Sequence, residues 1–501
     1  MFKKILIANR GEIAVRVMRA CREIGIKSVA VYSTIDRDAL HVQTADEAVC
    51  IGEAPPGESY LNIDSIMGAV KTTGAEAIHP GYGFLAENHL FAERCEKDGI
   101  VFIGPNSKAM KLVGDKIASR KVIEEAGIPF IPGMKSKSTS VDECIAEAEK
   151  IGYPVLLKAS AGGGGKGMRI ARIKEELAPA VEAGMRESQS AFGDPSVYLE
   201  KFIEQPRHIE FQVLADNYGN AVHLFERECS IQRRHQKIIE ETPSTALNDN
   251  LRRRMGETAL QVVKVSGYTN AGTVEMLLDR DMNYYFLEVN ARLQVEHPVT
   301  EMVTGIDLVH AQIRIAAGEK MWLNQDSIKQ NGHAIECRIY AEDPENNFLP
   351  SAGKILFMKE PSGPGIRHDC GVYSGYEVSV FYDPILSKLI TWAPSREICC
   401  KRMAAALADF PLLGIKTDIE FLREAVNHPE FAAGNTYTDF ISANMPSWAP
   451  STNDNMLDNA LIAASVYSKY ARKSSSFSKS TAELPTPWQE IGDWQIAGGS
   501  V

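Results

Sequence analysis

The segment Asn283–Glu301, NYYFLEVNARLQVEHPVTE, constrains the fold more than any other part of the chain. It begins with aromatic and aliphatic residues bounded by turn formers, which is typical of a β-strand. From Glu288 to Glu296 every even-numbered position is polar or charged, so an extended backbone would place those side chains on one face. Such a face suits a divalent cation beside a small oxyanion. The alternative is a solvated edge strand of mixed charge.

A second strand, NAGTVEMLL, precedes this segment and carries Glu275. The short turn DRDMN joins the two strands, so we expect Glu275 and Glu288 on adjacent antiparallel strands. Two carboxylates that face each other repel strongly unless a cation lies between them. The hairpin therefore predicts a Mg²⁺ site and disfavours the solvated edge strand.

The bulk properties of the chain exclude several classes of protein. Its 501 residues predict about two to four domains. The net charge of −11 argues against a general nucleic-acid binder, and the sequence has no apolar run long enough to predict a membrane span. The apolar run at the amino terminus is too short for a signal peptide and is predicted to be a strand. Nine dispersed cysteines without CxxC spacing are typical of reduced thiols, so we expect a cytoplasmic protein.

Residues 4–104 alternate short apolar runs with amphipathic segments, which predicts a parallel sheet with helices on its faces. The turn Asn9–Gly11 follows the first strand, where α/β sheets place ligand loops. It lacks the GxGxxG pattern, so it does not support dinucleotide binding. The loop HPGYGFLAEN, with Gly81 and Gly83, is more typical of a structural turn than of a site.

The segment YPVLLKASAGGGGKGMRIA places Gly162–Gly165 between two predicted strands, with Lys158 before them and Lys166 after them. Glycines allow backbone N–H groups to wrap a phosphate, and the lysines add positive charge. The Walker A pattern is not met, because Gly167 occupies the position of its hydroxyl residue and a strand follows. The sequence therefore predicts a glycine-rich flap over nucleotide phosphates rather than a linker.

Other segments add candidate ligands. Glu200 and Lys201 end a predicted strand at a hinge whose backbone groups suit an adenine edge. His208 lies on the next strand, and the sequence alone is equally consistent with a nucleotide ligand and with an ordinary strand histidine. The basic run Gln232–Lys237 is predicted to be a loop over a cleft that binds small anions. Lys116 opens a helix, and a solvated lysine is its simplest interpretation.

From His333 the pattern changes to short alternating strands and two amphipathic helices, which predicts an α+β domain with an antiparallel sheet. Arg338 shares a strand face with Glu336, and by itself it is most simply a salt-bridge residue. Residues 446–488 are rich in serine around one helix-like segment and predict a flexible linker. The two tryptophans of PWQEIGDWQ indicate that this terminus docks on a partner.

The order of these motifs resembles the ATP-grasp fold and, more narrowly, the biotin carboxylase family over roughly residues 1–446. The motifs are ILIANRGEIAVRVMRACRE, AIHPGYGFLAEN, GDKIASR, VLLKASAGGGGKGMRI, CSIQRRHQK, FLEVNARLQVEHPVTE and CRIYAEDP. The resemblance implies a mixed α/β and α+β fold. Its parts would be an N-terminal parallel-sheet domain (1–114), an ATP-grasp domain (115–332) with a glycine-rich lid at about 131–203, a C-terminal antiparallel-sheet domain (333–446), and a linker and tail (447–501) as a subunit-docking segment.

The resemblance also implies an activity. Such enzymes form carboxyphosphate from ATP and bicarbonate, then carboxylate biotin on a carrier protein. The implied cofactors are ATP, Mg²⁺ with Mn²⁺ as an alternative, and biotin. We find no Met-Lys-Met-like biotinyl motif, so the implied partners are a separate biotin carboxyl carrier protein and carboxyltransferase subunits. No nucleic-acid or membrane partner is expected. The tail resembles the start of the bridging region of acyl-CoA carboxylase α chains, which favours an acyl-CoA carboxylase over a pyruvate carboxylase.

Matching motifs also imply the site residues. Those that would hold ATP are Lys116, Lys158, Gly162, Gly163, Gly164, Gly165, Glu200, Lys201, Ile203, His208, Gln232, His235 and Leu277. Those that would bind Mg²⁺ are Glu275, Glu288 and Asn290. Bicarbonate would contact Lys237, Arg292, Gln294 and the Val295 backbone, with Glu296 as general base. Arg338 would stabilise the biotin enolate, and Arg16, Arg19 and Glu23 match a family dimer contact, which implies a homodimer.

Two alternatives compete with this interpretation. One is a different ATP-grasp ligase of the carbamoyl-phosphate or purine type, against which Arg338 and the run RLQVEHPVTEM argue. The other is a non-catalytic subunit that binds nucleotide only to regulate a complex. The presence of Lys237, Arg292 and Glu296 together argues against such a loss of catalysis.

Overall fold

The chain divides into two units, Met1–Trp448 and Ala449–Val501. The computed structural model describes residues 1–134, 136–159, 168–192, 194–234, 236–450 and 454–474. The fold is of mixed α/β type, as the sequence predicts.

A parallel sheet forms from the amino-terminal residues, which confirms the predicted alternation of strands and helices. Its elements are β1 (Lys4–Ile7), α1 (Gly11–Glu23), β2 (Lys27–Ser33), α2 (Leu40–Thr44), β3 (Glu47–Gly52), α3 (Ile63–Thr73), β4 (Ala77–His79), α4 (His89–Asp98), β5 (Val101–Phe102) and α5 (Ser107–Gly114). The strand order is β3-β2-β1-β4-β5, so the loops after β1 and β4 meet at one edge of the sheet. The side-chain amide of Asn9 joins these loops by donating to the carbonyls of Pro80 and Tyr82, at 2.7 Å each.

The next region contains a small antiparallel sheet with its own core. Its elements are α6 (Lys116–Glu125), α7 (Val141–Ile151), β6 (Val155–Ala159), β7 (Arg169–Ala171), α8 (Lys174–Phe192) and β8 (Val197–Lys201). The strand order is β7-β6-β8. Leu157, Leu177 and Leu199 are buried in an apolar cluster confined to this region. The predicted lid, from α7 to β8, therefore packs largely on itself, whereas Ile123 of α6 belongs to the core of the larger sheets.

A second, larger antiparallel sheet begins after the lid. Its first elements are β9 (Arg207–Ala215), β10 (Ala221–Arg233), β11 (Gln236–Thr242), α9 (Asp249–Ser266), β12 (Asn270–Leu278), β13 (Tyr284–Asn290), α10 (His297–Thr304) and α11 (Leu308–Ala316). Leu6 and Ile78 of the parallel sheet share one apolar core with Phe211 and Val274 of this sheet. The shared core fixes the loops after β1 and β4 beside the larger sheet.

The larger sheet continues into the carboxyl-terminal region. The elements there are β14 (His333–Tyr340), β15 (Glu342–Asp343), β16 (Leu349–Pro350), β17 (Gly353–Lys354), β18 (Phe357–Met358), β19 (Ile366–Cys370), β20 (Glu377–Val378), β21 (Ile385–Ala393), α12 (Arg396–Ala408), β22 (Leu412–Leu413), α13 (Ile419–Asn427), α14 (Pro429–Ala432) and α15 (Phe440–Asn444). The strand order is β13-β12-β9-β10-β11-β14-β21-β19. The antiparallel sheet thus runs through residue 333 without interruption, and the predicted domain boundary there stays a prediction.

Two predicted segments adopt a different structure. The basic run Gln232–Lys237 is predicted to be a loop, but β10 extends to Arg233, β11 begins at Gln236, and these two residues pair with each other. The polar alternation after Asn290 is not a continued strand either. The backbone turns there, and α10 begins at His297 with Pro298 in its first turn, where proline favours a helix start.

The second unit contributes one described helix, α16 (Asp454–Ser474). Its side chains Leu461, Ile462, Val466 and Tyr467 are exposed. The predicted serine-rich linker and the segment PWQEIGDWQ fall mostly or entirely in 475–501, outside the described residues. Among the residues that the structure does describe, no helix has both the length and the apolar character needed to cross a membrane.

Candidate active site

Glu275 and Glu288 are direct partners in the β12–β13 ladder, as the sequence predicts. Directly opposed residues of an antiparallel pair are near neighbours on one face of the sheet. Asn290 lies two residues further along β13, on the same face as Glu288. Carboxylate and amide oxygens are the donors that Mg²⁺ accepts in proteins, so these three residues fit a Mg²⁺ ion.

The ammonium of Lys237 lies among three buried carboxylates. Its Nζ is 2.5 Å from Glu210 Oε2, 2.7 Å from Glu275 Oε1 and 2.8 Å from Glu296 Oε1. Burial alone would lower the pKa of Lys237, but the three carboxylates outweigh it and hold this pKa well above its usual value. Lys237 therefore stays charged and links Glu275 of the β12–β13 hairpin to Glu296.

Arg227 supports the same cluster from within the sheet. Its side chain is 0% exposed, and its guanidinium donates to Glu210 Oε1 at 2.6 Å and to Gln212 Oε1 at 2.8 Å. Further bonds reach Thr300 Oγ1 at 3.0 Å and Thr273 Oγ1 at 3.1 Å. Arg227 thereby fixes Glu210 in place and adds a second positive charge behind it.

Glu296 receives its second cation from Arg338 on β14. Arg338 Nη2 is 2.9 Å from Glu296 Oε2, and Arg338 Nε is 2.6 Å from Glu240 Oε1. Burial raises the pKa of Glu296, but Lys237, Arg338 and Arg227 outweigh it and hold the pKa well below its ordinary value. The Glu296 carboxylate is thus ionised while it is fully buried.

Glu240, the other partner of Arg338, is also buried. Burial raises the pKa of Glu240 to about 7, with Arg338 opposing that shift.

The turn after Asn290 carries Arg292, whose guanidinium contacts residues on both sides of it in the sequence. Arg292 donates to Gln294 Oε1 at 2.9 Å and to Asn290 Oδ1 at 3.1 Å. Its Nε is 2.9 Å from Glu87 Oε2, and Glu87 Oε1 accepts from the Ala291 backbone at 2.9 Å. Glu87 belongs to the loop after β4, so the amino-terminal sheet holds Arg292 in place.

The predicted nucleotide ligands line the other end of the cleft. Lys158 forms an ion pair with Glu200 across the lid sheet. Lys201 donates to the carbonyls of Gly152 at 3.0 Å and Tyr153 at 2.7 Å. His208 Nε2 is 3.0 Å from Glu275 Oε2, and this contact joins the predicted nucleotide ligands to the predicted metal ligands. His208 Nδ1 also lies 3.0 Å from the side-chain nitrogen of Gln232.

One cavity of about 1560 Å³ brings most of the predicted residues together. Its lining includes Lys158, Glu200, Lys201, Ile203, His208, Gln232, Lys237, Glu275, Leu277, Glu288, Asn290, Arg292, Gln294, Val295 and Arg338. The volume accommodates a nucleotide with room for a second small ligand. The glycines Gly162, Gly163, Gly164 and Gly165, together with His235, lie outside the described residues, as does the side chain of Lys116.

Two predicted contact residues, Arg233 and Arg16, have partners in the structure that the sequence did not indicate. Arg233, in the basic run, is 2.6 Å from Glu342 Oε2 and stacks on Phe348, so it serves an ion pair in the carboxyl-terminal region. Arg16 is buried and bonded to Glu301 at 3.0 Å and Asp307 at 2.7 Å within the same chain. Arg16 thus has ion-pair partners within its own chain, and its part in a dimer contact stays a prediction.

Sequence reasoning assigned no role in the site to Glu87, Arg227 or Glu240. Arg227 and Glu240 are charged residues in segments that are predicted to be strands with apolar neighbours. Burying such a charge destabilises the fold unless it is paired. This pattern is a signal of a buried ion pair but does not name the partner. Glu87 carried no such signal, because its partner Arg292 lies 205 residues away in the sequence.

Three family profiles match the chain. They describe a biotin carboxylase N-terminal domain (residues 1–110), a carbamoyl-phosphate synthase L chain ATP-binding domain (115–324) and a biotin carboxylase C-terminal domain (336–443). A biotin carboxylase from Nostoc sp. is 53% identical over 440 residues, which covers 88% of this chain and 98% of the relative. The chain belongs to the biotin carboxylase family.

As a biotin carboxylase, the chain is an ATP-dependent ligase that uses ATP, Mg²⁺ and biotin. A pyruvate carboxylase subunit of Methanothermobacter thermautotrophicus is 53% identical over 441 residues, covering 88% of this chain and 90% of the relative. Propionyl-CoA carboxylase alpha chain of Ruegeria pomeroyi is 48% identical over 484 residues, covering 93% of this chain and 71% of the relative.

The biotin carboxylase fold is also seen in solved structures. The biotin carboxylase domain dimer of Hydrogenobacter thermophilus 2-oxoglutarate carboxylase was solved with MgADP, ADP and bicarbonate. It superimposes with a TM-score of 0.85 at 49% identity and covers 90% of this chain and 100% of that one.

Replacing the buried Arg227 tests the charge network of this biotin carboxylase. Arg227→Met leaves Glu210 with Lys237 as its remaining cation, so we expect a loss of about 3–5 kcal/mol in stability. The readout is the thermal unfolding midpoint, compared with Arg253→Met, in which an arginine with 63% side-chain exposure is lost from α9. The control should change stability by less than about 0.5 kcal/mol. Equal midpoints for the two variants would contradict the role given to Arg227.

Proposed function

We propose that this chain uses MgATP and bicarbonate to carboxylate biotin on a separate carrier protein, and that Glu296 is the general base. The observation that carries the proposal is the position of Glu296. Its carboxylate lies between the charged ends of Lys237 and Arg338, beside the turn that carries Gln294 and Val295. In this proposal Glu296 is the base, Lys237 belongs to the bicarbonate site, and Arg338 stabilises the biotin oxyanion.

In this proposal the nucleotide occupies the end of the cavity under the lid. Lys158 would leave its ion pair with Glu200 to contact phosphate oxygens, together with Lys116 and the glycine flap. His208, Gln232, Lys201, Ile203 and Leu277 would surround the base and ribose. Glu275, Glu288 and Asn290 would hold Mg²⁺, which neutralises charge on the terminal phosphates during transfer.

Bicarbonate would bind beside the hairpin, held by Lys237, Arg292, Gln294 and the Val295 N–H. The anion places a negative charge next to Glu296 and draws the ammonium of Lys237 toward itself. Both changes raise the pKa of Glu296, so the carboxylate becomes a stronger base only when its substrate is present. Glu296 then takes the bicarbonate proton, and the freed oxygen attacks the γ-phosphorus to give carboxyphosphate and ADP.

Arg338 would act in the second half-reaction. Its guanidinium lines the cavity beside Glu296, where the ureido group of biotin would enter. Carboxyphosphate would break down into CO₂ and phosphate. When N1′ of biotin loses its proton to this phosphate, negative charge collects on the ureido oxygen. A fixed guanidinium stabilises that oxyanion, and N1′ then bonds to the carbon of the released CO₂.

We further propose that the carboxyl group passes through a carboxyltransferase to an acyl-CoA rather than to pyruvate. The support is the tail segment PWQEIGDWQ, which resembles the start of the bridging region of acyl-CoA carboxylase α chains. The match to the propionyl-CoA carboxylase alpha chain, which covers 93% of this chain, agrees with that resemblance. In this assembly we place the chain in the cytoplasm as a homodimer, with Arg19 and Glu23 as exposed contact residues.

Glu296→Ala tests the proposed base. We expect kcat for bicarbonate-dependent ATP cleavage to fall by about 10²–10⁴-fold, because the proton of bicarbonate loses its acceptor. The dissociation constant of ADP, measured by calorimetry, should stay within about twofold, since the ion-pair partners of Glu296 are Lys237 and Arg338 rather than the residues proposed to surround ADP. Glu257→Ala, which removes a glutamate with 60% side-chain exposure from α9, is the matched control and should match the parent chain. Unchanged kcat in Glu296→Ala would remove the general base from the proposal.

The acceptor is tested in a reconstituted reaction. The chain is combined with its biotinylated carrier and carboxyltransferase, and ¹⁴C from bicarbonate is followed into acid-stable product. We expect incorporation with short acyl-CoA thioesters and none with pyruvate. Incorporation with pyruvate alone would reverse the assignment of the acceptor while leaving the carboxylation of biotin intact.

A further inference from the structure

A buried lysine, Lys388, lies directly behind the turn that carries Gln294, Val295 and Glu296. It is in the middle of β21, 0% exposed, and it is the ladder partner of Arg338 in β14. An ammonium in such a place is strongly destabilising unless it is paired. The groups that it contacts therefore indicate what it does.

The shortest polar contact of Lys388 is to the backbone of the active-site turn. Its Nζ donates to the Val295 carbonyl at 2.9 Å, and it lies 3.2 Å from Glu12 Oε2 on the first turn of α1. Burial raises the pKa of Glu12 to about 7, and it raises the pKa of the neighbouring Glu336 well above its usual value. Asp369, the ladder partner of Lys388 in β19, is a further carboxylate near the ammonium, and the charge of Lys388 helps to lower its pKa. The Val295 carbonyl is the closest polar contact of Lys388 and the one that belongs to the turn.

The neighbouring peptide of the turn is anchored in the same way. His297 is fully buried, and its Nδ1 lies 2.8 Å from the Gln294 carbonyl. Burial lowers the pKa of His297 well below its usual value, so the ring is neutral and donates through Nδ1. Both carbonyls behind the turn, those of Gln294 and Val295, are thus held by buried side chains.

The planarity of the peptide bond carries this anchoring to the front of the turn. In a trans peptide the N–H points away from the carbonyl that precedes it. Holding the Gln294 carbonyl behind the turn aims the Val295 N–H at the proposed bicarbonate site. Holding the Val295 carbonyl fixes the peptide that leads into Glu296, and so the point from which its carboxylate extends.

We infer that Lys388 is a positioning residue for the carboxylation reaction. It holds the Val295–Glu296 peptide so that the Glu296 carboxylate stays aligned on bicarbonate, while His297 holds the neighbouring peptide that carries the Val295 N–H. Lys388 itself touches no reacting atom. The inference rests on the proposed function, since it assigns the turn to bicarbonate.

Lys388→Met removes the ammonium donor and keeps an unbranched apolar side chain. We expect KM for bicarbonate to rise at least about tenfold, while KM for ATP stays within about twofold, because the nucleotide end does not depend on this turn. Lys401→Met, which removes a lysine with 74% side-chain exposure from α12, is the matched control and should change neither constant. An equal rise in both KM values would show a general distortion and overturn the inference.

A double variant separates positioning from charge burial. Lys388→Met leaves Glu12 without its cation, and Glu12→Gln removes that carboxylate. If Lys388 serves only to neutralise Glu12, the double variant recovers the parent KM for bicarbonate, and the inference fails. If Lys388 positions the turn, the double variant folds with the parent thermal midpoint and retains the raised KM.

Hydrogen exchange supplies a readout that does not depend on activity. Loss of Lys388 should speed amide exchange across 291–299 and leave the hairpin strands 270–290 unchanged. Unchanged exchange in 291–299 would overturn the inference whatever the kinetics. Failure of the proposed function is recognised separately, because the parent chain would then show no ATP cleavage that depends on bicarbonate.

Discussion

The arrangement of the active site depends on one interaction, the contact of the Lys237 ammonium with Glu210, Glu275 and Glu296. Three carboxylates this close cannot all stay ionised in a buried site without cations. Lys237 offsets their repulsion at the centre, while Arg227 and Arg338 do so from the two sides. The cluster thereby keeps the buried Glu296 carboxylate ionised next to the β12–β13 hairpin, where we propose the general base and the metal site.

The fold brings these charges together from distant parts of the chain. The continuous antiparallel sheet places Lys237 on β11 between Glu210 on β9 and Arg338 on β14. The amino-terminal parallel sheet adds the loop after β4, whose Glu87 holds Arg292. Lys388 on β21 then holds the active-site turn from behind. Each part of the proposed reaction thus rests on a strand or a strand end, which gives the site a rigid frame.

The sequence predicted those features that depend on short stretches of chain. The hairpin of Glu275 and Glu288 was predictable because period-two patterning and a short turn define the pairing. The turn after Asn290 was not, since alternating polar residues suit both a strand and a turn whose side chains converge. Arg16 and Glu301 lie 285 residues apart, so their ion pair could be recognised only from the folded chain. The family resemblance supplied residue roles that pattern alone left open, such as that of Arg338.

The most direct test of the account is ATP cleavage by the purified chain with Mg²⁺ and bicarbonate, with and without free biotin. The account predicts that cleavage requires bicarbonate and that biotin increases its rate, because the ureido group consumes the activated carboxyl. The account would be contradicted if the chain bound ATP but did not cleave it, whether free biotin or a biotinylated carrier was added. That result would support a protein that binds nucleotide without catalysing carboxylation.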